Sequence, residues 1–204
     1  SGIFLNQGQM CTAGSRILVQ DSVHDQFMEI LAARAAKMVV GDPLDPKTRM
    51  GSLVSTEHMD RVLSYIEQGK AEGATLRVGG SRQGDTGCFV SPTVFDDVTN
   101  HMAIGREEIF GPVASVIRFS DLSDAIAIAN DTTFGLAAGV WTSDMRVAMS
   151  FVRGVKAGTV WVNTYNMTDN ALPFGGYKMS GIGREQGKAA LDIYTQSKSV
   201  WMEV

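Results

Sequence analysis

The sequence predicts an α/β fold, a layered and largely parallel sheet with flanking helices. Two observations predict it: short β-rich runs alternate with windows of helical apolar spacing along the 204 residues, and no internal repeat interrupts that alternation. The predicted strands lie at 17–20, 75–78, 113–119, 138–142 and 159–163, and 193–204 has the partly alternating pattern of a further strand. Helices between such strands favour parallel pairing.

The helices between these strands follow local start and stop signals. The first follows the candidate N-caps Asp21 and Ser22 and ends before 41–46, where a glycine and two prolines interrupt it. The second follows the candidate N-cap Ser55, and Gly69 or Gly73 ends it. Further helices are predicted at 121–130 and 144–153. The predicted inward residues of the first two are Phe27, Leu31, Ala35 and Met38, then Met59, Val62, Leu63 and Ile66.

Composition excludes several classes of protein. A hydrophobic content of 44% supports a buried core, and a net charge of −4 with scattered Lys and Arg argues against a nucleic-acid surface. No stretch approaches the roughly 18 consecutive apolar residues of a membrane span, and the first residues do not resemble a signal peptide. The three histidines have no metal-ligand spacing, so no metal site is predicted. Two cysteines form no disulfide framework, which predicts a reducing, cytoplasmic location.

Cys11 is the most informative residue of the chain. It lies in 6–14 (NQGQMCTAG), where two glycines and amide side chains allow access to the sulfur and bring backbone N–H groups near it. A thiolate nucleophile needs both. The alternative is a small buried hydrophobe, the usual role of an isolated cysteine. Cys88, at a loop-to-strand boundary, is interpreted as structural.

Two other segments carry chemistry-bearing residues. In 106–113 (REEIFGPV), Glu107 and Glu108 precede a predicted strand, where a carboxylate could bind sugar hydroxyls, act as a general base, or form a solvated turn. The glycine-rich 173–185 (PFGGYKMSGIGRE) fails the dinucleotide fingerprint, because Gln186 stands where that pattern needs glycine. It is interpreted as a tight loop that enters a helix near Gly183.

Taken together and in order, these segments resemble the NAD(P)-dependent aldehyde dehydrogenase superfamily. The resemblance rests on 6–11, 107–112 and 173–181, with 130–136 and 158–163 between them, and runs from about Phe4 to the last residues. It implies oxidation of an aldehyde to a carboxylic acid. Cys11 would form a thiohemiacetal with the aldehyde, with its own N–H as half of the oxyanion hole. Hydride transfer to NAD or NADP would then leave a thioacyl-enzyme for hydrolysis.

The resemblance also assigns binding residues. Glu108 would bind the nicotinamide ribose, and Phe110 would pack beside the same group, whereas Glu107 has no assigned role. Asn163 and the Gly175–Gly176 pair would support the loop around the site. The substrate tunnel would be lined by Met10, Thr12, Asn166, Thr168 and Phe174.

The resemblance divides the chain into a catalytic domain, 1–190, and a C-terminal oligomerisation strand, 191–204. In the family, the cofactor-binding domain, the general-base glutamate and an oxyanion-hole asparagine precede the cysteine, and only ten residues precede Cys11 here. We therefore expect a fragment, inactive alone, of a homo-oligomer (dimer or tetramer) whose partner is a small aldehyde. The alternatives are a stand-alone cysteine acyl hydrolase that uses Cys11 with a local base, and a non-catalytic oligomerisation domain.

Overall fold

The computed structural model describes residues 2–204, which form two compact units: a first unit that ends at Thr132 and a second unit, Thr133–Val204. The strands of the described residues form two separate sheets, of four and two strands. The expected division into a catalytic domain, 1–190, and a C-terminal strand, 191–204, stays a prediction. Among the described residues, no helix combines the length and apolar character needed to cross a bilayer.

The first unit is built on a four-stranded, mostly parallel sheet. Its strands are β1 (Arg16–Gln20), β2 (Thr75–Val78), β3 (Thr93–Asp96) and β4 (Val113–Phe119), in the order β1-β4-β3-β2. The central strand β4 pairs in parallel with β1 and β3, and β2 adds an antiparallel edge. The predicted layered and largely parallel α/β class is thus confirmed. Sequence periodicity missed β3, because all four of its residues are buried and it shows no alternation of polar and apolar positions.

Helices cover both faces of this sheet. The first unit contains α1 (His24–Ala36), α2 (Thr56–Ala71), the short α3 (Ala103–Arg106) and α4 (Leu122–Asn130). Adjacent residues of β3 belong to different cores: Phe95 lies in the core with the inward residues of α2, and Val94 in the core with those of α1. Because successive side chains of a strand point to opposite faces, α1 and α2 cover opposite faces of the sheet.

The predicted N-cap and C-terminal glycine of α2 are confirmed, and the predicted N-caps of α1 are wrong. Ser55 Oγ accepts the backbone N–H of His58 at 3.1 Å, and the chain leaves α2 through Gly73 at φ +96°. Asp21 and Ser22 instead form a 3₁₀ turn, and α1 begins at His24 without a side-chain cap.

The predicted inward face of α1 is also only partly correct. Ala35 is buried, and Leu31 and Met38 pack against the core, but Phe27 is 37% exposed. His24 and Met28 point inward in its place. The reason is that Asp96 on β3 gives the His24 ring a buried polar partner, which apolar periodicity cannot indicate.

The second unit contains a parallel pair of strands, β5 (Ala137–Val140) and β6 (Thr159–Val162), connected through α5 (Met145–Gly154). Asp144 caps α5 by accepting the N–H of Arg146 at 2.7 Å. The helix expected near Gly183 begins later, with a 3₁₀ turn at Lys188–Ala190 that leads into α6 (Leu191–Tyr194).

The start of the predicted C-terminal strand is wrong, because α6 occupies Leu191–Tyr194, where Thr195 Oγ1 donates to the Leu191 carbonyl at 2.7 Å. Residues 195–204 pair with no strand among residues 2–204. These residues are all exposed, so their backbone groups are accessible to water or to a pairing strand. Pairing of this segment with a neighbouring subunit stays a prediction.

Candidate active site

The turn that precedes Cys11 has an uncommon backbone. Asn6 and Gln7 lie in the left-handed region at φ 49° and 57°, and Gly8 follows at φ 73°. Left-handed backbone costs a residue with a side chain roughly 1–2 kcal/mol. Two such residues in sequence therefore require compensating contacts from the surrounding structure.

The amide side chains of the motif supply these contacts. Gln7 Nε2 donates to the Ser52 carbonyl at 3.1 Å, and Gln9 Oε1 accepts the N–H of Val54 at 3.1 Å. Within the turn, Asn6 Nδ2 donates to the Gln9 carbonyl at 3.0 Å. The amides that drew attention to Cys11 in the sequence thus anchor its turn to the segment before α2.

Glycines bring the nucleophile turn against the loop that precedes β4. A Cβ on Gly8 would lie 2.1 Å from the Gly111 carbonyl oxygen, and a Cβ on Gly111 would lie 2.6 Å from a Val62 methyl group. Real Cβ atoms essentially never approach that closely. The Cys11 turn, the loop with Glu108 and Phe110, and α2 therefore form one packed assembly.

Cys11 itself is exposed, in a turn closed by the Ala13 N–H and the Met10 carbonyl at 3.0 Å. Within residues 2–204, neither its Sγ nor its backbone N–H has a hydrogen-bond partner. The thiol is open to an electrophile, and the N–H is open to the oxygen that becomes negatively charged when a thiolate adds to a carbonyl group.

Cys88 has a different environment. It is half-buried, packs against the core beneath α2, and its Sγ lies 3.5 Å from Thr56 Oγ1. These contacts support the structural interpretation of Cys88. Of the two cysteines, Cys11 is the more exposed.

The two glutamates before β4 have different surroundings. Glu107 accepts a hydrogen bond from Tyr65 Oη at 2.8 Å and lies 3.6 Å from Arg106. The Glu108 carboxylate is exposed and has no hydrogen-bond or ion-pair partner within residues 2–204, while its backbone carbonyl accepts from Arg61 at 3.4 Å. Glu108 is thus open to a ligand, and Glu107 holds the loop.

Phe110 presents its ring next to these glutamates. It is 37% exposed, and its backbone is left-handed at φ 58°. The His58 ring lies 2.7 Å from the Phe110 carbonyl through Nε2, and its centroid lies 6.3 Å from that of the phenyl ring. The sequence indicated for His58 neither a metal-ligand spacing nor an evident role as a base for Cys11, and it did not predict the contact with Phe110. No group of three or more metal-ligating side chains exists in the described chain.

The predicted site residues fall into the two units. The first unit brings Cys11, Glu108 and Phe110 into one packed assembly, and it also holds the half-buried Met10 and Thr12. The second unit holds Asn166, Thr168 and Phe174. Their placement in one tunnel stays a prediction.

In the second unit, Asn166 follows an aromatic cluster that the sequence did not indicate. Tyr165 stacks on Trp141 at 5.9 Å and packs against Trp161 at 4.8 Å, and burial raises the pKa of Tyr165 to about 12. Trp161 Nε1 donates to the Met167 carbonyl at 2.8 Å. The cluster fixes the backbone on both sides of Asn166, whose Oδ1 is buried without a partner in the described chain.

The other two predicted tunnel residues of this unit differ in exposure. Thr168 is exposed. Phe174 is half-buried, and its backbone N–H and carbonyl both pair with Glu185 at 2.7 Å.

The predicted supporting residues of the second unit have structural contacts. The Asn163 side chain bonds both the N–H and the carbonyl of Thr142 at 2.9 Å, which joins the ends of β5 and β6. A Cβ on Gly158 would lie 1.7 Å from the Gly175 carbonyl oxygen. These are contacts within the second unit. Support of the loop around the site by Asn163 and the Gly175–Gly176 pair stays a prediction.

A buried polar network lies away from Cys11, between α1 and β3. His24 is 1% exposed; its Nε2 lies 2.8 Å from Asp96 and its Nδ1 lies 3.0 Å from Asp25. Hydrogen bonds from His24 and then from Arg118 hold the pKa of the exposed Asp25 below its usual value. All of these groups are paired with one another, so the network is interpreted as structural.

Comparison with known proteins places this assembly in a family. A family model described as the aldehyde dehydrogenase family matches residues 1–200. The betaine aldehyde dehydrogenase of Brucella anthropi is 54% identical over 207 residues, which cover 100% of this chain and 42% of that protein. That of Brucella melitensis is 53% identical, with the same coverage.

Solved structures of aldehyde dehydrogenases also resemble this chain. An aldehyde dehydrogenase from Bacillus cereus in complex with NAD+ superposes with a TM-score of 0.96 at 49% identity, over 100% of this chain and 41% of that one. A betaine aldehyde dehydrogenase from Staphylococcus aureus in complex with NAD+ superposes with a TM-score of 0.92 at 44% identity, over 95% of this chain and 39% of that one. The chain thus spans about two fifths of the length of these relatives. On the match over residues 1–200, the chain belongs to the aldehyde dehydrogenase family.

Proposed function

We propose that this chain is the nucleophile-bearing part of an NAD(P)-dependent enzyme that oxidises an aldehyde to a carboxylic acid. One observation carries the proposal: the exposed Cys11, whose Sγ and N–H have no partner in the part of the chain that the structure describes, lies in a turn packed against the loop of Glu108 and Phe110. The names of the relatives from Brucella anthropi and Bacillus cereus support it.

The free groups of this chain fit the first step of that reaction. The Cys11 thiolate adds to the carbonyl carbon, forming a C–S bond while the carbonyl π electrons move to oxygen. The Cys11 N–H then donates to the new oxyanion. Its collapse restores the C=O bond and expels hydride, with two electrons, which leaves an acyl group on Sγ. Attack of water on that thioester releases the acid and returns the thiol.

The loop before β4 fits the cofactor. A bound nicotinamide nucleotide supplies the hydride acceptor of this reaction. Glu108, whose carboxylate is unpaired among the described residues, would accept hydrogen bonds from the ribose hydroxyls, and the exposed ring of Phe110 would pack beside the same group. Ribose hydroxyls can donate hydrogen bonds to a carboxylate, and the C–H groups of the ribose can pack against an aromatic side chain.

Hydrolysis of the thioester needs a base for the water. The family resemblance assigns that base to a glutamate upstream of the cysteine, and this chain spans 42% of the curated relatives. We therefore propose that the 204-residue chain does not turn over alone. We also propose a homo-oligomer, supported by the exposed Val200 and Trp201 in a segment that pairs with no strand of residues 2–204.

The test is NADH formation by the full-length protein that carries this sequence, with betaine aldehyde and a short series of other aldehydes. Wild type and the matched control Cys88→Ser are expected to be active, and Cys11→Ser to be inactive, because an alcohol is a far weaker nucleophile than a thiolate. Turnover by Cys11→Ser would refute the proposal. Repeated hydrolysis of an activated ester by the purified chain, without NAD, would favour the cysteine hydrolase instead.

A further inference from the structure

One face of α2 holds the loop before β4 through three side chains. His58, Arg61 and Tyr65 are three and four residues apart, so they lie on the same side of the helix. Each contacts a different residue of 107–110: His58 the carbonyl of Phe110, Arg61 the carbonyl of Glu108, and Tyr65 the carboxylate of Glu107. We call these three side chains the α2 clamp.

The His58 contact is the shortest of the three, at 2.7 Å from Nε2 to the Phe110 carbonyl oxygen. A carbonyl oxygen only accepts hydrogen bonds, so Nε2 carries the proton and donates it. The same imidazole meets the phenyl ring edge to face, at an interplanar angle of 68°. His58 therefore contacts both the backbone and the ring of Phe110.

These contacts matter because Phe110 has a backbone conformation that it would not keep alone. Its φ of 58° is disfavoured for a bulky side chain. Without a partner on its carbonyl, the residue would relax toward negative φ, which would turn the phenyl ring and displace Glu108 two residues earlier. The next residue, Gly111, packs tightly against Val62 of the same helix, so α2 is a rigid support for the loop.

We propose that His58 is a positioning residue of the cofactor site. By donating Nε2–H to the Phe110 carbonyl, it keeps Phe110 and Glu108 oriented toward the nicotinamide ribose, while Arg61 and Tyr65 hold the preceding residues. This inference rests on the proposed function, since it assigns the cofactor to Glu108 and Phe110. His58 itself acts through Phe110 and has no part in the chemical step.

The kinetic test uses His58→Ala, His58→Gln and Asp60→Ala in the full-length protein. Glutamine keeps an N–H donor of similar reach, and Asp60 is an exposed residue of the same helix outside the clamp. His58→Ala is expected to raise KM for NAD about 5- to 10-fold, the effect of losing one hydrogen bond, with KM for the aldehyde unchanged. His58→Gln and Asp60→Ala are expected to stay within about twofold of wild type. An unchanged KM for NAD in His58→Ala, or failure of glutamine to restore it, would overturn the inference.

Hydrogen exchange of the same proteins without cofactor separates this inference from the proposed function. Amides of 107–111 are expected to exchange faster in His58→Ala than in wild type or His58→Gln, while exchange outside this loop and the melting temperature stay unchanged. If wild type forms neither NADH from NAD nor NADPH from NADP with any aldehyde, the proposed function fails and exchange alone decides the role of His58. Equal exchange in wild type and His58→Ala would then show that His58 does not hold the loop.

Discussion

Replacing Gly8 with alanine tests whether the nucleophile turn depends on close packing of two backbones. Gly8 has φ +73°, and an added Cβ would lie 2.1 Å from the Gly111 carbonyl oxygen. The left-handed backbone alone costs alanine roughly 1–2 kcal/mol. Overpacking against a backbone atom, which cannot rotate away, adds about 1–3 kcal/mol. Gly8→Ala should therefore destabilise the first unit by about 2–5 kcal/mol.

Gly84 provides a matched control. Its φ is +72°, and an added Cβ would meet no atom within 4 Å. Gly84→Ala therefore introduces the cost of a left-handed backbone without a steric contact, and we expect the free energy of unfolding to fall by about 1–2 kcal/mol. The difference between the two variants isolates the contact with Gly111.

The assay is urea unfolding followed by far-UV circular dichroism. All three tryptophans, Trp141, Trp161 and Trp201, lie in the second unit, so their fluorescence reports on that unit alone. The alkylation rate of Cys11, three residues after Gly8, should change in Gly8→Ala and stay constant in Gly84→Ala. If the two variants lose stability equally, the close approach of Gly8 to Gly111 does not constrain the turn.

Three further predictions concern stability. Burial raises the pKa of Tyr165 to about 12, so the stability that its neutral hydroxyl contributes is complete below pH 10 and is lost as the pH rises from about 10 through 12. The loss amounts to about 3 kcal/mol. Tyr165→Phe should remove that pH dependence of tryptophan-monitored unfolding, and an unchanged alkaline loss would contradict the burial argument. Asn163→Ala removes two hydrogen bonds to Thr142 and should lower the free energy of unfolding of the second unit, measured in urea, by about 1–3 kcal/mol. A change near zero would mean that water replaces these hydrogen bonds. Asp96→Ala leaves the buried His24 without its 2.8 Å partner and should lower the free energy of unfolding, followed by circular dichroism, by about 2–4 kcal/mol. Asp96→Asn should lower it less, and equal losses in the two variants would argue against the hydrogen bond.

Local signals predicted much of the fold. The strands β2 and β4 occur where alternation and β-rich composition indicated them, and the Ser55 cap and Gly73 stop at α2 act within one turn of the chain. Such features depend on neighbouring residues, which a sequence displays directly. β3 was missed because a strand buried on both faces has no periodicity of two.

Features that depend on distant partners could not be predicted. The inward position of His24 requires Asp96, and the contact of His58 requires the carbonyl of Phe110, 52 residues away. The same holds for Gln7, whose bond to Ser52 spans 45 residues. Cys11 could be identified by its motif, but the reason its neighbours are amides and glycines became visible only in three dimensions.

The central claim is that Cys11 becomes covalently acylated during aldehyde oxidation. It is tested most directly by acid-quenching the full-length protein during turnover with NAD and an aldehyde, and then mapping the acyl group by peptide mass spectrometry. The account predicts an acyl mass on the peptide that contains Cys11, dependent on NAD, and none on the peptide that contains Cys88. NADH formation without any acyl group on Cys11, or acylation confined to Cys88, would contradict it.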